Sequence, residues 1–195
     1  MKILSHDLEV LRHHTKLPLI PSAAKIVVML CGLPASGKST LATSLCQQLG
    51  LVHLESDFLR RKLFAKPTHT AEESVRLFIA LYERAQELLE QGYSLLFDST
   101  NLIESHRQIT YEMAYKTEAK LFIFHLICPV SEAKRRLRSR VIREGQNANA
   151  DWQVYQKLAK QVEPIVPRHY VLDTSSAGVL ERVLQIIIKE TDHDH

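Results

Sequence analysis

The sequence predicts an α/β domain of three layers, α/β/α, built on a five-stranded parallel sheet and carrying a basic helical lid. Three observations predict it. Short, nearly unbroken apolar runs alternate with longer segments of helical periodicity. The runs lack the in-and-out alternation of a sheet with one wet face, as expected when helices cover both sides. The first run, "KIVVML", leads directly into a glycine-bracketed turn and a helical segment, "KSTLATSLCQQLG", that closes at Gly50.

Residues 1–25 read as an N-terminal extension. Leu4, Leu8 and Leu11 fall at helical spacing and predict a short helix packed on the domain, and "LPLIPSAAK" reads as a linker with two prolines. The domain proper spans 26–190. "LVHLES" is a second strand, and "SDFLRRKLF" starts a helix. Thr70 and Glu73 make a capping box. The helix behind it aligns Val75, Phe78, Tyr82, Ala85 and Leu89 on one face and stops at Gly92. "YSLLFD" is a third strand, and Ser105 to Thr117 a helix. "AKLFIFHLIC" is a fourth strand, ended by Pro129. Ser131 to Arg143 is a basic helix, "EGQNANAD" a loop and "WQVYQKLAKQV" another helix. "HYVLDT" is the fifth strand, "GVLERVLQIIIKE" the closing helix, and 191–195 a disordered tail.

With 195 residues the chain is long enough for one domain with a full core. Its 45% apolar and 24% charged residues are ordinary for a soluble protein. A net charge of +3 is too mild to predict nucleic-acid binding by itself. Cys31, Cys46 and Cys128 lack metal or redox spacing and fit buried thiols in a reducing cytosol, so a cytoplasmic location is expected. No apolar run approaches the 18 residues of a membrane span, and "MKILSHDLEV" lacks the pattern of a signal peptide. Oligomeric state is left open.

The glycine-bracketed turn has a definite chemistry. Gly32, four residues, then Gly37, Lys38 and Ser39 follow the phosphate-loop spacing G-x-x-x-x-G-K-[ST]. Glycines let the backbone take positive φ, so that successive N–H groups can surround a phosphate. The following helix adds its unpaired amides and the positive end of its dipole. Gly32, Leu33, Pro34, Ala35, Ser36, Gly37, Lys38, Ser39 and Thr40 are therefore the residues expected to hold a nucleotide's phosphates. Lys38 would reach the β- and γ-phosphates, and Ser39 would place its hydroxyl on Mg2+.

In a parallel sheet, ligands bind beyond the carboxyl ends of the strands. Just past the second strand stands Asp57, a candidate general base for an acceptor hydroxyl. Arg60, one helical turn on, could hold an anionic group of the acceptor. Capping of the helix by Asp57 or Ser56 is the plainer alternative. The third strand ends in "FDSTN". Asp98 resembles a Walker B acid that holds magnesium, while Ser99, Thr100 and Asn101 could line an acceptor pocket or simply build a turn. In the basic helix, six of the ten residues from Lys134 to Arg143 are basic. Ala133, Leu137 and Val141 should pack inward, leaving Arg136, Arg140 and Arg143 as a stripe that could close on the transferring phosphoryl group. A solvated basic face is the alternative. The fifth strand ends in "DTSS", without a decisive signal.

No N-K-x-D guanine-reading motif and no L-S-G-G-Q signature occurs. "GLPASGKSTLA", "LESDFLRRKLF", "FDSTN" and "AKRRLRSR", in that order, resemble the P-loop kinases grouped with the zeta-toxin and chloramphenicol-phosphotransferase families. This is the AAA_33-type family of AAA family ATPases, and the kinase domain of bacteriophage polynucleotide kinase is similar. The resemblance covers about Lys25 to Glu190. It implies the P-loop NTPase fold, with Asp57 as base and Arg60 as ligand of an acceptor phosphate. It also implies that Lys38, Arg136 and Arg140 act on the donor. Where a related kinase group reads D-A-T-F, this chain reads "DSTN". The expected function is ATP- and Mg2+-dependent phosphotransfer to a hydroxyl of a small molecule. The alternatives are a 5′-hydroxyl polynucleotide kinase and a nucleotide-binding regulatory module with little transferase activity.

Overall fold

The computed structural model describes the backbone of residues 2–20, 22–144 and 148–192, and the side chains of 4–20, 22–139 and 151–192. Five parallel strands form one sheet: β1 (Ile26–Cys31), β2 (Val52–Glu55), β3 (Leu95–Asp98), β4 (Lys120–Ile127) and β5 (Tyr170–Asp173), in the order β2-β3-β1-β4-β5. Successive side chains of a strand point to opposite faces, and both faces here are buried. On one face Val27, Val52, Leu54, Leu95 and Phe97 pack together. On the other, Val28, Leu30, Leu96, Phe122, Phe124 and Leu172 do so. This two-sided burial is why the strands read as continuous apolar runs.

Helices α2 (Lys38–Leu49) and α8 (Val179–Asp192) cover the second face. The first is covered by α4 (Ala71–Glu90), α5 (Glu104–Lys116) and α1 (Lys2–His14), with α3 (Ser56–Leu63) beside them. The remaining helices, α6 (Val130–Glu144) and α7 (Ala148–Ala159), leave the sheet between β4 and β5. The expected loop "EGQNANAD" is therefore shorter than read, because α7 already begins at Ala148. At the other end α8 runs through Asp192, two residues into the tail expected from 191, and 193–195 lie outside the described residues.

The apolar face of α4 is rotated from the one expected. Val75 is 60% exposed, whereas Leu77, Ala80, Leu81, Ala85, Leu88 and Leu89 are buried. The periodicity admits both stripes. The deciding contact is α1, which lies on α4 and α3 and buries Leu11 completely. Asp7 of α1 is also buried, and Arg76 of α4 donates to both of its carboxylate oxygens at 2.6 Å. The capping box is half as expected. The Thr70 side chain accepts from the Glu73 amide, but the Glu73 carboxylate reaches further back, to the amides of Thr68 and His69.

Strand β1 lies between β3 and β4, while the chain passes from β1 to the outer strand β2. That reversal opens a crevice at the carboxyl end of β1. Because every strand runs the same way, Gly32, Asp57, Asp98, Cys128 and Thr174 are all delivered to that edge.

Candidate active site

Strand β1 runs directly into the loop 32–37. Gly32 has φ +150°, and a Cβ there would stand 2.4 Å from the carbonyl oxygen of Leu126 on β4. Only glycine fits so close an approach. Gly37, at φ +91°, is the N-cap of α2 and offers no side-chain cap. The first-turn amides of α2 thus keep their donors for an anion, at the positive end of the helix dipole. Ala35 holds φ +63° without being glycine, a conformation that costs about 1–2 kcal/mol. Its carbonyl accepts from Arg136 Nη1 at 3.2 Å and from Cys128 Sγ at 3.9 Å, which pins the strained residue.

Lys38 is buried, and its ammonium donates to the carbonyls of Gly32 and Leu33 at 2.9 Å each. The loop closes around a cation, held by weak neutral acceptors that phosphate oxygens could replace with charge-assisted bonds. Ser39 and Thr40 lie exposed on the first turn of α2.

Asp98, the last residue of β3, is 4% exposed. Its Oδ2 lies 3.3 Å from His53 Nε2 on β2, and its backbone carbonyl accepts from Ser56 Oγ. Glu55 is in register with Asp98 on the neighbouring strand. Burial and the nearby Asp98 charge raise the Glu55 carboxyl above its usual range. Asp98 and the Ser39 hydroxyl are hard oxygen donors, the kind Mg2+ selects. Among the described residues no group of three His, Cys, Asp or Glu side chains is gathered for a metal. The donor set fits an ion that keeps waters and takes most of its ligands from a nucleotide.

The acceptor side differs from expectation. Asp57 is exposed on the first turn of α3. Arg60 is buried, and its guanidinium donates to Glu73 Oε2 at 3.4 Å and Ser74 Oγ at 3.2 Å. It binds α3 to the start of α4. Asn101 is buried with φ +47°, and its amide donates to the Leu30 carbonyl at 2.7 Å. Thr100 offers its backbone carbonyl to the amide of Gly32 at 3.0 Å. The "STN" turn therefore ties β3 to the phosphate loop.

The lid is docked on the loop. Ala133, Leu137 and Tyr155 pack against Leu33, Ala35 and Trp152. Arg136 donates from Nη1 to Thr174 Oγ1 at 2.9 Å, from Nη2 to the Thr174 carbonyl at 2.8 Å, and from Nε to Glu132 at 2.7 Å. Hydrogen bonds from Arg135 and then Arg136 draw the Glu132 carboxyl down to about 2. Arg140 and Arg143 belong to α6, but their side chains lie outside the described residues. Arg107, almost fully buried on α5, ties the lid's exit to the "STN" turn by donating to the carbonyls of Asn101, Glu163 and Pro164. A cavity of about 110 Å³ lies between loop and lid, lined by Leu33, Leu102, His125, Tyr155 and Val162 among others.

Sequence reasoning missed Thr174, Glu132, His53 and Arg107. Glu132 was within reach, since it stands four residues before Arg136 on one helix. The others act through partners distant in sequence and carry no local signal.

The AAA domain family AAA_33 matches residues 27–165. The rat protein 6-phosphofructo-2-kinase/fructose-2,6-bisphosphatase 1 is 26% identical over 133 residues. That match spans 60% of this chain and 28% of the rat protein, so the chain corresponds to under a third of that relative. The APS kinase CysC of Mycobacterium tuberculosis, solved with AMPPNP and APS, superposes with TM-score 0.64 at 19% identity, over 86% of this chain and 97% of that one. A sugar kinase from Janibacter superposes with TM-score 0.62 at 22% identity, over 83% and 93% of the two chains. At these identities the two structures establish a shared fold.

Proposed function

For a chain that belongs to the AAA_33 family of AAA domains, as its match over residues 27–165 shows, we propose ATP- and Mg2+-dependent transfer of the γ-phosphoryl group to a hydroxyl of a small molecule. One observation carries the reading. A buried lysine ammonium sits inside a glycine-bent loop, beneath the uncapped start of a helix, at the carboxyl edge of a parallel sheet. Few ligands other than a polyphosphate use all three features at once.

The roles follow from position. Loop amides and the first turn of α2 hold the phosphates. Lys38 exchanges its carbonyl partners for phosphate oxygens and tracks charge onto the β–γ bridge as ADP departs. Asp57 takes the proton of the acceptor hydroxyl as its oxygen attacks the γ-phosphorus in line. Magnesium, when bound, neutralises the phosphates, and Ser39 and Asp98 are the residues to hold it. Arg136 holds the loop's outer side through Ala35 and Thr174, and by the family resemblance Arg136 and Arg140 are the lid arginines proposed to act on the donor.

A small neutral acceptor is favoured over a 5′-hydroxyl polynucleotide. Arg60, the residue suited to an acceptor phosphate, is buried and already contacts Glu73 and Ser74, with only its Nε unpaired, and the net charge is only +3. The kinase neighbours support phosphotransfer as a class and leave the acceptor open.

The test combines calorimetry with ATP and Mg2+ and transfer of labelled phosphate from ATP to sugars, polyols, nucleosides and 5′-hydroxyl oligonucleotides. Asp57→Asn is expected to lower transfer by about 10²–10⁴ while leaving ATP affinity within about twofold. Labelled oligonucleotide ends would move the reading to a polynucleotide kinase. Unchanged cellular function of Asp57→Asn would favour a regulatory module, and failure to bind nucleotide at all would end the proposal.

A further inference from the structure

We propose that His53 is a positioning residue for the metal-holding carboxylate Asp98. The inference rests on the reading of Asp98 given above and adds a residue that no phosphate-loop motif contains.

The argument begins with burial. Asp98 is 4% exposed, and a carboxylate withdrawn from water must recover its lost hydration through hydrogen bonds. His53 Nε2 stands 3.3 Å from Asp98 Oδ2, and its side chain is 25% exposed against 3% for the aspartate. The parallel register explains why the two meet. Glu55 lies opposite Asp98, and Leu96 lies opposite His53. All four side chains share the face that Leu96 buries against α2, whose first turn carries Ser39. His53 is one step back from the sheet's carboxyl edge, and its imidazole reaches forward and across to Oδ2.

That geometry divides the carboxylate. Nε2–H, in the tautomer that donates, occupies Oδ2 and fixes the plane of the group. Oδ1 is then the oxygen left to the ion that Asp98 would hold. Glu55 cannot substitute for the histidine. It is an acid like Asp98, its nearest ion-pair partner is Arg61 at 4.0 Å, and no hydrogen bond joins it to Asp98 among the described residues. Without His53, Asp98 would rotate toward whatever water reached it, and each rotation would misplace the oxygen meant for the ion. Second-sphere partners of this kind typically contribute about 10–100-fold to metal affinity.

The test titrates Mg2+ into the protein with saturating ADP and reads the half-saturating metal concentration by calorimetry. The variants are His53→Ala, His53→Gln and Asp98→Asn, each also titrated with ADP in the absence of metal. His53→Ala is expected to raise the half-saturating Mg2+ concentration about 10–100-fold without altering metal-free ADP affinity. His53→Gln, which restores an N–H donor, is expected to recover most of the loss. His53→Phe, which fills the space without a donor, carries the test if the alanine variant unfolds. If Asp98→Asn weakens Mg2+ binding and the donorless His53 variants do not, the inference fails and the metal role of Asp98 stands. If Asp98→Asn leaves Mg2+ binding unchanged, both fail. A purely structural histidine would change the melting temperature alone.

Discussion

Thr174 bridges the lid and the phosphate loop: its Oγ1 accepts from Arg136 Nη1 at 2.9 Å and donates to the Ser36 carbonyl at 2.8 Å. One hydroxyl at the end of β5 thus holds an arginine of α6 and a carbonyl two residues before Lys38. Thr174→Val keeps the shape and removes both bonds. The expected cost is about 1–3 kcal/mol of stability, measured by urea unfolding. Nucleotide affinity should fall roughly fivefold for each kcal/mol of loop order lost. Affinity unchanged beside lowered stability would show that the bridge serves folding alone.

Gly32 and Gly92 form a natural pair for separating steric overlap from backbone strain. Both have positive φ, but a Cβ at Gly32 meets Leu126 at 2.4 Å, while one at Gly92 has nothing within 4 Å. Gly92→Ala should cost about 1–2 kcal/mol and leave nucleotide binding intact. Gly32→Ala should cost more and abolish detectable ADP binding by calorimetry, because the loop must move to admit the methyl group. Equal losses for the two would mean that the close approach to β4 is unimportant.

Glu132 sets a pH window for the lid. Its carboxyl is drawn from 4.5 to about 2 by Arg135 and Arg136. A lowered carboxylate pKa stabilises the folded state above the unfolded value, and that contribution disappears as pH falls through the folded value. Glu132→Gln should therefore be less stable than the parent by a constant margin at neutral pH. The margin should shrink below pH 4.5 and vanish near pH 2, as followed by melting temperature across that range. A margin independent of pH would show that the ion pairs contribute nothing.

Arg76 anchors α1 through the buried Asp7, at 2.6 Å to each oxygen. Arg76→Ala leaves that carboxylate buried without its partner. The expected loss is about 2–3 kcal/mol, below the 3–5 of a fully enclosed pair, because the Arg76 side chain is 40% exposed. Asp7→Asn with Arg76→Ala should recover part of it in a double-mutant cycle.

The layered fold was legible because its signal is local. Apolar runs such as "IVVMLC" can be buried only on both faces, and the loop spacing follows one strand and opens one helix. Strand edges were legible for the same reason, so Asp57, Asp98 and the lid segment could be named from the chain alone. The surroundings of the acceptor-side residues depended on distant partners. Arg60 and Asp57 sit one turn apart on α3, but Glu73 and Ser74, reached through the next loop, decide where the guanidinium goes. Asn101 likewise meets the Leu30 carbonyl at 2.7 Å only because β3 lies beside β1. The exposed Val75 shows the same limit, since helical period specifies a stripe's spacing and the docking of α1 selects which stripe is covered.

The amino-acid order by itself determined the alternation of strands and helices, the glycine-bent loop with its lysine, and which acids stand at the strand ends. Backbone conformational preference and burial of short apolar runs act between near neighbours, and the chain states them directly. Tertiary structure alone decided which charges meet: His53 with Asp98, Arg136 with Thr174, and Arg107 with the carbonyls that lead out of the lid. Those pairings arise when parallel strands set a register and helices dock across them, and hydrogen bonds acting over a few ångströms have no imprint in sequence separation.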